Sequence, residues 1–185
     1  MEHYIVKELS DISLSLFRKN FFGIYNGSIS EKTEADKFII NKKSVLFDKM
    51  DENSFIELYY TKDYRWNEAD EDADIHLQIY KNINEAKYIT FTMPPYATAC
   101  SLRYNKITPK DYFGYKMLSE IEVYDPRDFD SWSKKAAYEI SSYLKQSKNR
   151  YILIKGYGIF IYDRDLQNMA NTLSIIENSC RILSI

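Results

Sequence analysis

Histidine and cysteine are almost missing from this chain: two of each in 185 residues. His3 lies beside the N-terminus and only His76 is well inside, so one copy cannot assemble a site of three histidine ligands. Cys100 and Cys180 fall in apolar, helix-patterned surroundings, where a small buried thiol is expected and neither a disulfide nor a nucleophile is. Long apolar runs are missing too. The longest, such as Tyr151 to Ile154 and Ile159 to Tyr162, fall far short of the roughly 20 residues that span a bilayer. The opening Met-Glu-His-Tyr-Ile-Val-Lys-Glu lacks the basic start and apolar core of a signal peptide, so the expected compartment is the cytoplasm. Neither sign of charge dominates. With a net charge of -2 and the two signs interspersed, no extended positive field recruits nucleic acid or an anionic membrane. The 17 tyrosines could stack on bases, but a single-strand binder also needs a basic groove, and no segment supplies one.

What is present is an ordinary globular composition, 45% hydrophobic and 28% charged, in a length that suits one domain over residues 1–185 and can bury a full core. Ile5, Leu9, Ile12 and Leu16 recur at helical spacing and predict a helix over about 3–20, ended by Gly23. Ile24 to Ser30 and Phe38 to Ile40 lean toward strands around the polar stretch Glu31 to Lys37, a hairpin, and Phe55 to Tyr60 follows as a third strand. Acidic residues from Glu68 to Asp74 open a helix that ends near Asn82, where they complement its dipole. Lys87 to Thr92 is a strand and Pro94-Pro95 starts a short helix. The stretch from Asn105 to Met117 has no clear period. Ile121 to Tyr124 is a strand, Asp125 to Asp128 a turn, and Trp132, Ala136, Ile140 and Leu144 predict one helix to about Gln146. Two strands flank Gly156-Tyr-Gly158, and Asp165 caps a last helix with a stripe from Leu166 to Leu183. Strands and helices alternate without linkers or repeats, which points to a single layered α/β domain.

The segment Tyr88-Ile-Thr-Phe-Thr-Met-Pro-Pro-Tyr-Ala-Thr-Ala-Cys-Ser101 resembles the metal-binding strand of the class II aldolase/adducin family, which ends in His-x-His before Pro-x-x-x-x-Ala. Other motifs follow in family order. Gly27-Ser-Ile-Ser30 resembles a Gly-Asn/Ser-x-Ser loop, Asp72-Ala-Asp-Ile-His76 with Ile79-Tyr80 a Glu-x-x-x-His helix start, Tyr151 to Gly158 a Leu-x-x-His-Gly strand, and Asp165-Leu166 with Ile176-Glu177 the closing helix. The likeness runs over about residues 5–183. It implies a three-layer α/β/α fold with a central, mostly antiparallel sheet flanked by helices.

Carried over position by position, the resemblance exposes losses. The three zinc-ligating histidines of the family fall on Phe91, Met93 and Tyr157, so no metal and no other cofactor is expected. Without Zn²⁺ as a Lewis acid the enediolate of an aldol cleavage has no comparable stabiliser. The catalytic glutamate falls on Asp72, one methylene shorter, though an acidic helix start on a solvated face explains that residue as well. Tyr112 falls roughly where some aldolases keep a catalytic tyrosine. Gly27, Ser28 and Ser30 would hold a phosphate or similar polar end. The second phosphate motif, Thr-Pro-Ser-Gly, falls on Asn41-Lys-Lys-Ser44 and is lost, although Lys42 and Lys43 could still attract an anion or simply form surface charge pairs. His76 matches a helix histidine that is not a ligand, and is expected to be a core imidazole bonded to backbone.

Two functions are compatible with this pattern. One is a pseudoenzyme kept for assembly or ligand binding, as the head domain of adducin also lacks the metal histidines. The other is a metal-independent lyase or epimerase acting on a sugar phosphate or similar hydroxy-carbonyl compound through Asp72 and either Tyr157 or Tyr112. In both, family analogy predicts a homo-oligomer, a tetramer being common, and a small sugar-phosphate-like ligand.

Overall fold

Tyr151-Ile-Leu-Ile154 has no polar face, and a strand so composed is stable only between two apolar layers. The computed structural model, which describes residues 3–185, has that arrangement. In chain order the elements are α1 (His3–Arg18), β1 (Ser28–Glu34), β2 (Lys37–Asn41), β3 (Phe55–Tyr59), α2 (Ala73–Asn82), β4 (Tyr88–Thr92) and α3 (Pro95–Arg103). They continue as β5 (Lys106–Ile107), α4 (Tyr112–Met117), β6 (Ile121–Tyr124), α5 (Phe129–Ser133), α6 (Ala136–Gln146), β7 (Tyr151–Ile154), β8 (Gly158–Asp163) and α7 (Leu166–Ser184). The strands form one eight-stranded sheet in the order β3-β2-β1-β4-β8-β7-β6-β5. Every neighbouring pair is antiparallel except β6 with β7.

Alternation along each strand divides the core in two. Ile29, Ile39, Leu153, Ile159 and Ile161 face a layer that includes α1, α3 and α7. Phe38, Ile40, Ile89, Phe91, Ile152, Ile154 and Phe160 face α2, α5 and α6. The fold is therefore the three-layer α/β/α arrangement anticipated from the sequence. Each fully buried isoleucine of these strands carries about 2–5 kcal/mol against truncation to alanine. Cys100 and Cys180 are free and buried, with the Cys100 thiol 3.5 Å from the Cys180 carbonyl oxygen.

Four expectations are corrected in detail. Helix α1 ends at Arg18, and the left-handed residue behind it is Asn20 (φ 60°), not Gly23. Strand β1 starts at Ser28 and runs through Glu34, so the hairpin turn shrinks to Ala35-Asp36, because pairing with both β2 and β4 extends the polar stretch. The helix expected from Trp132 breaks after Ser133. Lys135 leaves helical geometry (φ -126°, ψ 3°), yet Trp132 and Ala136 stay in the same core, which is why their spacing looked continuous. The unassigned stretch before Met117 contains β5 and α4, the latter capped by Asp111 onto the Gly114 amide.

Two connections shape the region above β4. Glu177 of α7 accepts hydrogen bonds from the Tyr96 and Ala97 amides at 3.1 and 2.8 Å, satisfying donors in the first turn of α3. Gly27 enters β1 at φ +135°, where an added Cβ would lie 2.3 Å from the Phe22 ring. Gly27→Ala should cost about 2 kcal/mol or more and lower the melting temperature by several degrees, checked by thermal unfolding.

Candidate functional site

Two periodicities converge between β1 and α2. Ser28 and Ser30 are two residues apart on a strand and share a face, while Asp72, His76 and Tyr80 are four apart along a helix and share another. Ser28 Oγ donates to Asp72 Oδ2 at 2.9 Å and lies 2.8 Å from His76 Nε2. His76 Nδ1 is 2.6 Å from Ser30 Oγ, which is 2.7 Å from Tyr80 Oη. Tyr80 Oη in turn reaches the Lys87 carbonyl at 3.3 Å. His76 is buried as expected, but its partners are the two serine hydroxyls and not backbone. The sequence signal that could have found this network is the spacing itself, 72, 76, 80 against 28, 30.

Asp72 sits at the N-terminus of α2 but makes no capping hydrogen bond from its side chain. Its carboxyl turns toward Ser28 at the wall where two cavities meet. One, of about 440 Å³, is bounded by Gly27, Lys43, Asp70, Asp72, Phe91, Met93 and Tyr157. The other, of about 680 Å³, lies between α2, α5 and α6 and is bounded by Asp72, Ile75, Phe129, Trp132, Gly156 and Tyr157. Asp72 and Tyr157 therefore belong to both.

Burial, and after it the charge of Asp70, pushes the Asp72 carboxyl up to about 7, against the pull of the Ser28 hydroxyl. Burial likewise lifts Asp70 to about 6. Burial holds His76 down at about 3, so its ring is neutral in ordinary buffers. Burial, followed by the charges of Asp72 and Asp70, pushes the Tyr157 phenol well up from its ordinary value, the opposite of what a phenolate ligand requires.

Phe91, Met93 and Tyr157, expected from the resemblance to stand at degenerate metal positions, line one cavity together. Phe91 stacks on Tyr157 with centroids 4.7 Å apart at 27°, and on its other side on Phe160 at 4.7 Å and 28°. Trp132 meets Tyr157 edge-on at 5.4 Å. Met93 is half-buried beside them. A phenyl ring, a thioether and a protonated phenol do not fit a zinc ion, and among the described residues no three of His, Cys, Asp and Glu cluster in a way that could hold a metal. Phe91 and Tyr157 of this stack, with Met93, line the smaller cavity, while Phe160 packs behind Phe91 in the core.

The other candidate residues separate. Ser28 and Ser30 are fully buried with their hydroxyls committed to the network, so of that loop Gly27 is the member on the cavity wall. Tyr112 is 70% exposed on α4, against Phe113, and lines neither cavity. Lys42 pairs with Glu68 at 3.4 Å while Lys43 lines the smaller cavity. Phe129 and Trp132 were missed, because nothing in a core-like aromatic pattern marks which rings face a cleft.

The model of the class II aldolase and adducin N-terminal domain matches residues 7–184. Among solved structures, the L-fuculose-1-phosphate aldolase of Thermus thermophilus superposes with a TM-score of 0.86 at 21% identity, covering 98% of this chain and 93% of that one. YgbL of Escherichia coli, a putative aldolase/epimerase/decarboxylase, gives 0.79 at 16%, covering 97% and 88%. A sugar-phosphate aldolase from Thermotoga maritima gives 0.72 at 14%, covering 97% and 93%. At these identities the structures speak to the fold. No curated protein sequence matches.

The folded pKa of Asp72 lies above the unfolded value of 3.8, so the folded state holds the proton more tightly and stability falls as pH rises from about 3.8 to about 7. Asp72→Asn removes that slope. Allowing for the carboxyl's partial exposure, it should stabilise the protein by about 1–2 kcal/mol more at pH 8 than at pH 5. Equal effects at the two pH values, measured by denaturant unfolding, would show an ordinary solvated carboxylate.

Proposed function

The chain belongs to the class II aldolase and adducin N-terminal domain family, and from that premise we propose that it is a pseudoenzyme that binds a small ligand and does not carry out zinc-dependent aldol cleavage. What supports this reading is the Phe91–Tyr157 stack, with Met93 beside it, at the three positions onto which the resemblance carries the family's zinc histidines. Zinc in the family's reaction supplies Lewis-acid stabilisation of an enediolate. The donors at these positions cannot hold it, so no step is derived through a metal.

What remains suits binding. The smaller cavity is lined by Lys43 and Gly27 together with Asp70, Asp72 and Tyr157. The ligand proposed is a sugar-phosphate-like compound, its anionic end near Gly27 and Lys43 and its hydroxyls toward the carboxyls. Residues 1–185 act as one domain of this kind, and the cytoplasm is the compartment proposed. A homo-oligomer is also proposed, a tetramer by analogy, and the exposed Tyr112, Phe113, Tyr115 and Met117 of α4 are apolar surface suited to it.

A second reading, a metal-independent lyase or epimerase, is favoured by one specific feature. The Asp72 carboxyl lies at a cavity wall with its pKa raised to about 7, the range in which a carboxyl can both accept and return a proton at neutral pH.

Purified protein should carry no stoichiometric zinc by elemental analysis, and added zinc should not raise its melting temperature. In calorimetry against a panel of sugar phosphates, with inorganic phosphate as control, saturable binding should weaken about tenfold in Lys43→Ala, the loss of one charge-assisted contact. About one zinc per chain together with metal-dependent cleavage of a sugar phosphate would overturn the proposal. Light scattering that gives a strict monomer would remove the oligomer from it.

A further inference from the structure

The hydrogens between Asp72 and Lys87 can be counted. Five contacts run in series: Asp72 to Ser28, Ser28 to His76, His76 to Ser30, Ser30 to Tyr80, and Tyr80 to the Lys87 carbonyl. Ser28, Ser30, Tyr80 and a neutral His76 bring one hydrogen each. With Asp72 ionised, four hydrogens serve five contacts and one contact is left empty. The emptiest place is the Tyr80 end, because that contact is the longest, at 3.3 Å, and the Lys87 carbonyl already accepts from the Lys32 amide at 2.8 Å. Ser28 then donates to the carboxylate, His76 donates from Nε2, Ser30 donates to Nδ1, and Tyr80 donates to Ser30.

When the carboxyl takes up a proton and donates it to Ser28, five hydrogens serve five contacts, so the four occupied bonds reverse and the Tyr80–Lys87 contact fills. Ser28 donates to Nε2, His76 donates from Nδ1 to Ser30, Ser30 to Tyr80, and Tyr80 to the Lys87 carbonyl. Each group passes on one hydrogen and receives one. The imidazole stays neutral in both states and exchanges its tautomer.

We propose that protonation of Asp72 is coupled to the tautomer of His76, so that His76, Ser30 and Tyr80 are positioning residues that set the proton affinity of the cleft carboxyl from inside the core. This rests on the reading in which the Asp72 carboxyl is the working group of the cleft. The groups facing the chain do not short-circuit it. Asp72 is faced by Asp70 and Glu71 from its own segment, by Tyr157 from the turn before β8, and by Lys43 across the cavity. His76 is faced by Ser28 and Ser30 of β1 and by the Phe160 ring of β8, edge-on at 6.2 Å. Tyr80 is faced by Glu31, Tyr60 and Tyr88, with Glu31 paired to Lys87 at 3.4 Å. From α6, Ser141 accepts from Asn82 at 3.4 Å and donates to the Tyr138 carbonyl at 3.1 Å, and Lys134, between α5 and α6, lines the larger cavity. His76 is fully buried, so no water replaces a link at its ring.

The test is a pH titration of the ligand-free protein by NMR, with ¹⁵N-labelled histidine and ¹³C-labelled aspartate. The chain has two histidines, so His3→Gln assigns the His76 ring. Expected is a swap of the protonated nitrogen from Nε2 to Nδ1 as pH falls, with the same midpoint as the Asp72 carboxyl signal. In Asp72→Asn the ring should hold one tautomer at all pH values. Tyr80→Phe leaves the Ser30 hydroxyl without an acceptor only in the protonated state, so the midpoint should fall by about one pH unit, a tenfold drop in proton affinity. A tautomer that stays fixed while Asp72 titrates, or an imidazolium in place of a swap, would overturn the coupling; the wild-type titration decides this even if Tyr80→Phe does not fold. Because no ligand is present, failure of sugar-phosphate binding leaves this result intact, and the reverse also holds.

Discussion

The match in pitch between β1 and α2 is the constraint on which the site depends. Two residues of a strand advance about 6.6 Å and four residues of a helix about 6.0 Å, so Ser28 and Ser30 can each meet successive turns of a helix laid along them. Asp72, His76 and Tyr80 use that coincidence. Because the middle of the network is dry, each member is held by the cost of leaving a buried polar group unpaired, about 1–3 kcal/mol apiece, which fixes the depth and rotation of α2. That in turn sets where the Asp72 carboxyl emerges, on the wall that both cavities share.

Much of this was legible because the fold writes itself in apolar periodicity. The two-sided strands and the stripes of α1, α2 and α7 are dictated by burial, and burial leaves a regular trace in sequence. Where the trace failed, a local geometry decided: the left-handed Asn20, the break at Lys135, the Asp111 cap of α4. Such features turn on one or two dihedral angles and leave no period. The site divides the same way. The resemblance grouped Asp72, Phe91, Met93 and Tyr157, which do line one cavity, whereas Tyr112 is exposed on α4, an element that packs against α7. Nor could a list of residues say that Ser28 and Ser30 turn inward. That follows from which face of β1 meets α2.

The aromatic stack and the polar network lie on the same layer of the sheet and meet at Phe160, which packs on Phe91 and on the His76 ring. Chemically they are opposites, one dispersive and indifferent to protons, the other wholly dependent on them. Their contact sets a packed aromatic layer beside a responsive polar one. A ligand in the cleft would meet a carboxyl whose charge depends on pH near neutrality, so electrostatics and not coordination would set its affinity.

The carboxylate of Glu177 on the first amides of α3 has a further bearing, on biosynthesis. Its partners Tyr96 and Ala97 lie 81 and 80 residues earlier in the chain, shortly after the strand that carries Phe91. During synthesis those amides leave the ribosome long before the group that satisfies them. The sheet edge at β4 likewise waits for β8, its partner from Ile159 to Asp163. The nascent chain therefore exposes an unpaired strand edge and an uncapped helix at the same place, and that stretch is where a chaperone would find this protein before it is finished.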